Sequence, residues 1–195
     1  EFVFSVPDLE QARHFYSSFG LDVRQEDGTL ALYTFGHPHR WARLLPGARK
    51  RLLWLSLGIH AGDTQRFERH LAKRRIARID APAGADAGGL WIQGPDGLAL
   101  ELRVAPKSSP SRPAPREFPP PCRSTGRVPG RSKIGTVHPL YLSHILLFSA
   151  DVDAARTFYE EVLGLRLSDK SGSVIAFMHT PHGSDHHLIA LAKSD

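Results

Sequence analysis

Apolar and polar positions alternate through Ser143-His144-Ile145-Leu146-Leu147-Phe148, a pattern that predicts a strand with His144, Leu146 and Phe148 on one face. Asp151 then stands where a helix N-cap belongs. Val152, Ala155, Phe158, Tyr159 and Val162 recur at helical spacing, and Gly164 supplies the left-handed residue that ends a helix. Near the start of the chain, Asp8 caps a second predicted helix whose apolar stripe is Leu9, Ala12, Phe15, Tyr16 and Phe19. Gln11 completes its capping-box pattern. Short strands are predicted after both helices, over 22–26 and 29–35 in the first case and over 166–169 and 173–179 in the second.

These two stretches are copies of one unit. Phe4-Ser-Val-Pro-Asp8-Leu-Glu-Gln-Ala12-Arg13-His-Phe15-Tyr16 superposes on Leu147-Phe-Ser-Ala-Asp151-Val-Asp-Ala-Ala155-Arg156-Thr-Phe158-Tyr159 at a constant offset of 143 residues. Each then reaches a Gly-Leu pair, Gly20-Leu21 and Gly164-Leu165. A more divergent unit lies between them. Its strand runs from Leu52 to Gly58, Asp63 caps a helix carrying Phe67 and Leu71, and 90–93 with 98–104 form a hairpin about Pro95-Asp96-Gly97.

Composition sharpens the division into domains. With 41% apolar and 23% charged residues the chain is globular rather than disordered. No apolar run reaches the roughly 18 residues of a membrane-spanning helix. The net charge of +5 is concentrated between residues 107 and 133, where seven Lys or Arg face Glu117 alone. Nine of the fifteen prolines lie between 106 and 139, so this segment reads as a basic, proline-rich linker. With Phe118 as its one aromatic it offers no stacking platform, which argues against nucleic-acid binding. The single cysteine, Cys122, makes no internal disulfide, and a cytoplasmic location is expected. The chain opens at Glu1 inside an apolar segment without an initiator methionine or signal peptide, and its true start is expected upstream.

The motifs Asp8…Phe15-Tyr16…Gly20-Leu21, Pro95-Asp96-Gly97-Leu98-Ala99-Leu100-Glu101-Leu102 and Asp151…Phe158-Tyr159…Leu163-Gly164-Leu165 resemble the vicinal oxygen chelate superfamily of glyoxalases, bleomycin-resistance proteins and extradiol dioxygenases. Within it the chain looks most like the type I extradiol ring-cleavage dioxygenases of the biphenyl-diol and catechol group. Tandem modules, Leu142-Ser143-His144 and Phe177-Met178-His179…Gly183-Ser184-Asp185-His186-His187-Leu188-Ile189-Ala190 carry that narrower likeness. It implies an α+β fold of tandem βαβββ units, with one complete two-unit module and half of a second. Residues 1–105 would be an N-terminal module without metal, 106–139 the linker, and 140–195 the first half of a catalytic module.

The same resemblance implies Fe(II), less often Mn(II), held by two histidines and a carboxylate. His144 matches the first histidine; the second histidine and the glutamate would lie beyond Asp195. Such a triad leaves adjacent metal sites open for a catecholate and O₂. His187 matches the acid/base histidine that assists deprotonation of the diol, and an imidazole titrating near neutrality suits that task. Leu146, Phe177 and His186 are candidate substrate-binding residues. His186 and His187, as strand neighbours, would point to opposite faces. The plainer alternatives are a hydrogen-bonded core histidine at His144, where burial of an unpaired imidazole is costly, and loop-edge histidines at 186 and 187.

Elsewhere chemistry is not expected. Glu101 matches the family's carboxylate position but has no histidine partners, and reads as a structural or surface residue. His179 and His182 read as loop residues, and His37 and His39 as a loop or intermodule contact. Phe15-Tyr16 and Phe158-Tyr159 occur in both modules and are expected to be core.

The function so implied is an extradiol ring-cleavage dioxygenase of aromatic degradation, acting on a small aromatic diol with O₂ and forming a homo-oligomer when complete. One histidine does not hold iron, so the 195-residue chain alone is expected to be inactive and to expose an apolar concave face. The rival functions are a bleomycin-resistance-like binding protein and a glyoxalase-like metal-dependent isomerase or epimerase, both of which work without O₂.

Overall fold

The computed structural model describes residues 1–108 and 137–194. Cys122 and the proline-rich core of the linker lie outside the described residues. The first unit comprises β1 (Phe2–Val6), α1 (Leu9–Ser18), β2 (Asp22–Glu26), β3 (Thr29–Tyr33) and β4 (Ala42–Pro46). The second comprises β5 (Arg51–Ile59), α2 (Thr64–Lys73), β6 (Leu90–Gln93) and β7 (Ala99–Val104). After the linker come β8 (Ile145–Ser149), α3 (Val152–Leu163), β9 (Arg166–Ser171), β10 (Ile175–His179) and β11 (Ile189–Lys193). This is the α+β pattern of repeated βαβββ units that the sequence predicts.

The sheets show how the units relate. A seven-stranded sheet runs β2-β3-β4-β1-β5-β7-β6, and a four-stranded sheet runs β8-β11-β10-β9. In the first and third units the opening strand pairs parallel with the closing one, β1 with β4 and β8 with β11. The second unit repeats this with β5 and β7 but has only an isolated bridge, Arg78 to Ile92, where the strand following its helix would lie. The first two units join through antiparallel pairing of β1 with β5. Strand β8, the counterpart of β1, occupies the edge of its sheet.

Local signals explain the helix boundaries. Asp8 accepts a hydrogen bond from Gln11 N at 2.9 Å and Asp151 one from Ala154 N at 2.9 Å, each satisfying a backbone donor of the first turn. Gly164 ends α3 in the left-handed conformation. Asp63 departs from expectation. It sits at the N-cap of α2 without a side-chain cap, because a 3₁₀ turn over Ala61–Asp63 leads into the helix and its carboxylate pairs with Arg66 instead.

The aromatic pairs are not equivalent in packing. Tyr159 is buried, whereas Phe15 is 60% exposed and Phe19 61%. Helix α1 buries no residue fully, so Leu9, Ala12 and Tyr16 alone of the expected stripe rest on the sheet. The expectation that both Phe-Tyr pairs are core is corrected accordingly. The helix lies on its sheet with a narrower face than a full apolar stripe would cover.

One apolar cluster unites the second and third units. It holds Leu55, Leu71, Leu90 and Leu100 together with Val152, Tyr159, Met178, Ile189 and Leu191. Each fully buried aliphatic side chain here contributes about 1.5–3 kcal/mol. A separate cluster of Val3, Trp54 and Trp91 fills the opposite face of the large sheet.

Candidate functional site

His144 immediately precedes β8, and its side chain is exposed. Beyond it on the same face, Leu146 is 46% and Phe148 67% exposed, while Ile145 and Leu147 turn toward the apolar cluster. The alternation read from the sequence therefore holds, with the face carrying His144 open rather than buried. Solvent removes the burial cost that a core histidine would incur. The expected exposed apolar face is present on β8.

Ladder register gathers the remaining candidates. Leu146 pairs with Ala190 of β11, and Ala190 with Phe177 of β10, which places Leu146 and Phe177 in one row across the sheet. The ring centroids of His144 and His187 lie 4.2 Å apart, and Phe177 stands 4.8 Å from His187 and 5.8 Å from His186. The Nδ1 atoms of His186 and His187 are 3.1 Å apart. His144, His186, His187 and Phe177 thus meet beside the open edge, with Leu146 in the same row as Phe177.

One expectation fails. His186 and His187 do not alternate across a strand, because β11 begins only at Ile189 and both residues lie in the preceding loop. Freed from the pleat, both rings turn toward Phe177. Partial burial, reinforced by the neighbouring His144 and His186 rings, lowers the His187 pKa from its ordinary value of 6.5. It is neutral near pH 7 and able to accept a proton.

The first module shows what the equivalent position becomes without such chemistry. Glu1, Ser56 and His144 each stand seven residues before the aspartate that opens their unit's helix, Asp8, Asp63 and Asp151. Across the β1–β5 junction Glu1 N donates to Ser56 O at 3.0 Å and Ser56 N to Glu1 O at 2.8 Å. Around this pair runs an ion-pair network. Arg40 binds Glu1 at 2.8 Å and Asp86 at 2.7 Å, Arg43 binds Asp86 at 3.0 Å, and Arg103 reaches Asp86 at 3.3 Å. Glu101 closes it by accepting from Ser56 Oγ at 2.5 Å.

Glu101 is 2% exposed, so of the two expected roles the structural one applies and the surface one does not. Burial tends to raise the Asp86 carboxyl, but the Arg40 hydrogen bond and the charges of Arg43 and Arg40 outweigh it and hold its pKa below 3.8. Guanidinium groups crowd the place where the third unit presents a histidine.

Other histidines serve packing. His37 and His39 lie against Trp41, within the first module and not between modules. His179 closes β10 with Nδ1 2.6 Å from Ser168 Oγ. His182 stacks edge-on against His60 at 5.1 Å, a contact between the second and third units that sequence spacing gave no means of finding. A groove of about 640 Å³ between α2 and α3, lined by Lys73, Arg74, Phe158 and Glu161, shares none of the candidate site residues.

Among the described residues no three His, Cys, Asp or Glu side chains form a group that could hold a metal ion. His144 is one donor of the expected three, so these residues do not by themselves fit an iron centre. No helix among them is long and apolar enough to cross a membrane.

Repeated βαβββ units with an open histidine-bearing edge define a class. Residues 141–195 match the model of the Glyoxalase/Bleomycin resistance protein/Dioxygenase superfamily. It is 41% identical over 194 residues to metapyrocatechase 2 of Cupriavidus necator, covering 99% of this chain and 60% of that protein. It is 31% identical to biphenyl-2,3-diol 1,2-dioxygenase of Pseudomonas sp. strain KKS102, over 97% of this chain and 65% of the relative. The chain therefore spans about three fifths of these relatives.

Among solved structures it resembles 2,2',3-trihydroxybiphenyl 1,2-dioxygenase of Sphingomonas wittichii, with TM-score 0.69 and 25% identity over 99% of this chain and 66% of that one. A Mn(II)-bound glyoxalase of Novosphingobium aromaticivorans shares the fold at TM-score 0.69 and 21% identity, over 99% of this chain and 60% of that one.

Proposed function

We propose that this chain is part of an extradiol ring-cleavage dioxygenase that acts on a catecholic diol with O₂. Residues 1–105 form its metal-free module, 106–139 the linker and 140–195 the first unit of the catalytic module. The observation that carries the reading is the meeting of His144, His187 and Phe177 on the open face of β8. In the first module the equivalent position is closed by ion pairs.

His144 is one ligand of an Fe(II) centre, with Mn(II) the less favoured metal. By the symmetry of the first module, where Ser56 stands across from Glu1, a second ligand would come from a strand paired antiparallel to the free edge of β8. A glutamate at the position matching Glu101 would complete the set. Bound iron would supply a Lewis acid for the diol and a site for O₂. The chain's own residues have distinct tasks. His187 accepts the diol proton, Phe177 and Leu146 present apolar surface to the aromatic ring, and His186 borders the entrance.

Anaerobic Fe(II) titration tests this, comparing this chain, a form carrying a fourth βαβββ unit, and His144→Ala in each. Stoichiometric binding by the longer form, abolished by the substitution, with catechol-dependent O₂ uptake, is the expected result. Iron bound equally by the His144→Ala protein would overturn the ligand assignment. Iron binding with substrate conversion but no O₂ uptake would point to a glyoxalase-like reaction.

A further inference from the structure

The loop before β11 and the segment before β8 are both irregular, and one carboxylate joins them. Asp185 Oδ2 accepts hydrogen bonds from Ser143 Oγ at 2.6 Å and from Tyr141 Oη at 3.1 Å. The β8–β11 ladder starts just beyond, where Ile145 N donates to Leu188 O at 3.1 Å. His144 and His187 thus stand outside the regular ladder. Asp185 is the side chain that ties the lead-in to His144 directly to the loop carrying His187.

The direction of these bonds has a chemical consequence. A serine hydroxyl owns a single hydrogen. At 2.6 Å from a carboxylate, Ser143 commits that hydrogen to Asp185 in a charge-assisted bond. Toward His144, whose Nδ1 lies 3.4 Å from Ser143 Oγ, the hydroxyl therefore acts as an acceptor. The partner it accepts from is an Nδ1–H. The other ring nitrogen, Nε2, then keeps its lone pair.

We propose that Asp185 is a positioning residue that acts through Ser143 to hold neutral His144 in its Nδ1–H tautomer, leaving Nε2 as the nitrogen free to ligate, while pinning His187 against it. The use of that tautomer rests on reading His144 as a metal ligand; the tautomer itself does not. Outer partners that fix imidazole tautomers are a recurrent means of preparing a metal site. Ser184 supports the arrangement by donating to Asp185 O at 3.0 Å and accepting from Thr180 N at 3.3 Å.

The test is ¹⁵N-resolved NMR of the histidine side chains in the metal-free chain, recorded well above the ordinary imidazole pKa of about 6.5 so that tautomers are compared. Wild type should show His144 predominantly as Nδ1–H, with a cross-relaxation contact between the His144 and His187 rings. Ser143→Ala should shift His144 toward the Nε2–H form that free histidine prefers, while keeping the ring contact. Asp185→Ala should lose both. Tyr141→Phe, which removes the other donor and leaves the Ser143 bond, should keep the tautomer, and the dispersion of backbone amide signals in each variant reads whether that variant is folded. Predominant Nε2–H in wild type, or an unchanged tautomer in both Ser143→Ala and Asp185→Ala, would overturn the proposal. Failure of the iron titration with these NMR outcomes intact would instead remove the dioxygenase reading and leave the latch standing.

Discussion

Glu1 and Ser56 face each other across the junction of β1 and β5 and exchange both backbone hydrogen bonds, at 3.0 and 2.8 Å. They are the counterparts of His144 in their own units, so this pair marks an approximate twofold axis of the first module. The Ser56 hydroxyl, turned onto Glu101, is one of the contacts that make the junction structural rather than chemical.

Ser56→Ala should therefore be costly for so small a change. Glu101 is buried, its Oε1 already has no hydrogen-bond partner, and the Ser56 hydroxyl is the donor to its Oε2. Losing a hydrogen bond to a buried charged group costs about 1.5–3 kcal/mol. Urea unfolding followed by tryptophan fluorescence reads the loss, since Trp54 and Trp91 lie in the core of the same sheet. Adding Glu101→Gln should return part of it, because a neutral amide is cheaper to leave underpaired. A change within the roughly 0.5 kcal/mol of an ordinary surface substitution would contradict this account.

The network around Asp86 sets an acid limit on stability. Its folded pKa lies below the ordinary 3.8, so the stabilisation from Arg40, Arg43 and Arg103 is fully present above the unfolded value. That stabilisation is lost as pH falls through the lower folded value. Asp86→Asn should flatten the stability profile below about pH 4. Its effect at neutral pH should be modest, because the Asp86 side chain is 36% exposed and solvent screens its charge. Unfolding midpoints from pH 2.5 to 7 for both proteins check the sign. Equal slopes would show that another carboxylate governs the acid limb.

The repeat was legible because helix caps and apolar spacing are local: Asp8, Asp151 and Gly164 each act within a turn of their own position. Strand β4 left a weaker mark. Its Ala42-Arg43-Leu44 is defined by pairing with β1 and β3, and Arg43 is held there by Asp86, far away in sequence. The exposure of Phe15 is likewise set by how α1 seats on its sheet, not by helical periodicity. At the site, His144 was recognisable from strand alternation and motif. The turning of His186 and His187 to one side depends on β11 starting late, and the Asp185 bridge depends on two irregular segments converging. Neither has a periodic signature.

Two glycines of the repeat should differ sharply when substituted. Both have positive φ, +100° at Gly20 and +74° at Gly164, so alanine at either incurs roughly 1–2 kcal/mol of backbone strain. At Gly164 nothing lies within 4 Å of the added Cβ. At Gly20 the Cβ would come within 2.6 Å of Val137 O, in the segment whose His138 hydrogen-bonds Gly20 O at 3.0 Å and packs on Phe35. Gly20→Ala should thus cost more than Gly164→Ala and also release the 137–139 segment, seen as faster proteolysis after the linker. Similar thermal shifts and similar cleavage in the two variants would refute the contact.

The shared apolar cluster makes a stronger demand, because it ties the second and third units into one folding unit despite the linker between them. Leu71 of α2 is 2% exposed in a cluster that includes Val152 and Tyr159 of α3 and Met178 of β10. Replacing a buried leucine by alanine removes transfer energy and leaves a cavity, about 2–5 kcal/mol in all. If the cluster is continuous, Leu71→Ala should lower amide-exchange protection in β10 and β11 as well as in α2 and β7, because opening either side exposes the other. His70 Nε2 lies 2.7 Å from Glu161 O on α3, and Arg74 pairs with the Glu161 side chain. These exposed contacts add little. Val162→Ala on α3 should therefore reproduce the coupling from the opposite side, whereas Arg74→Ala should not. Protection lost only around α2 after Leu71→Ala, with β10 and β11 unchanged, would mean that the third unit stabilises itself and merely rests against the first module.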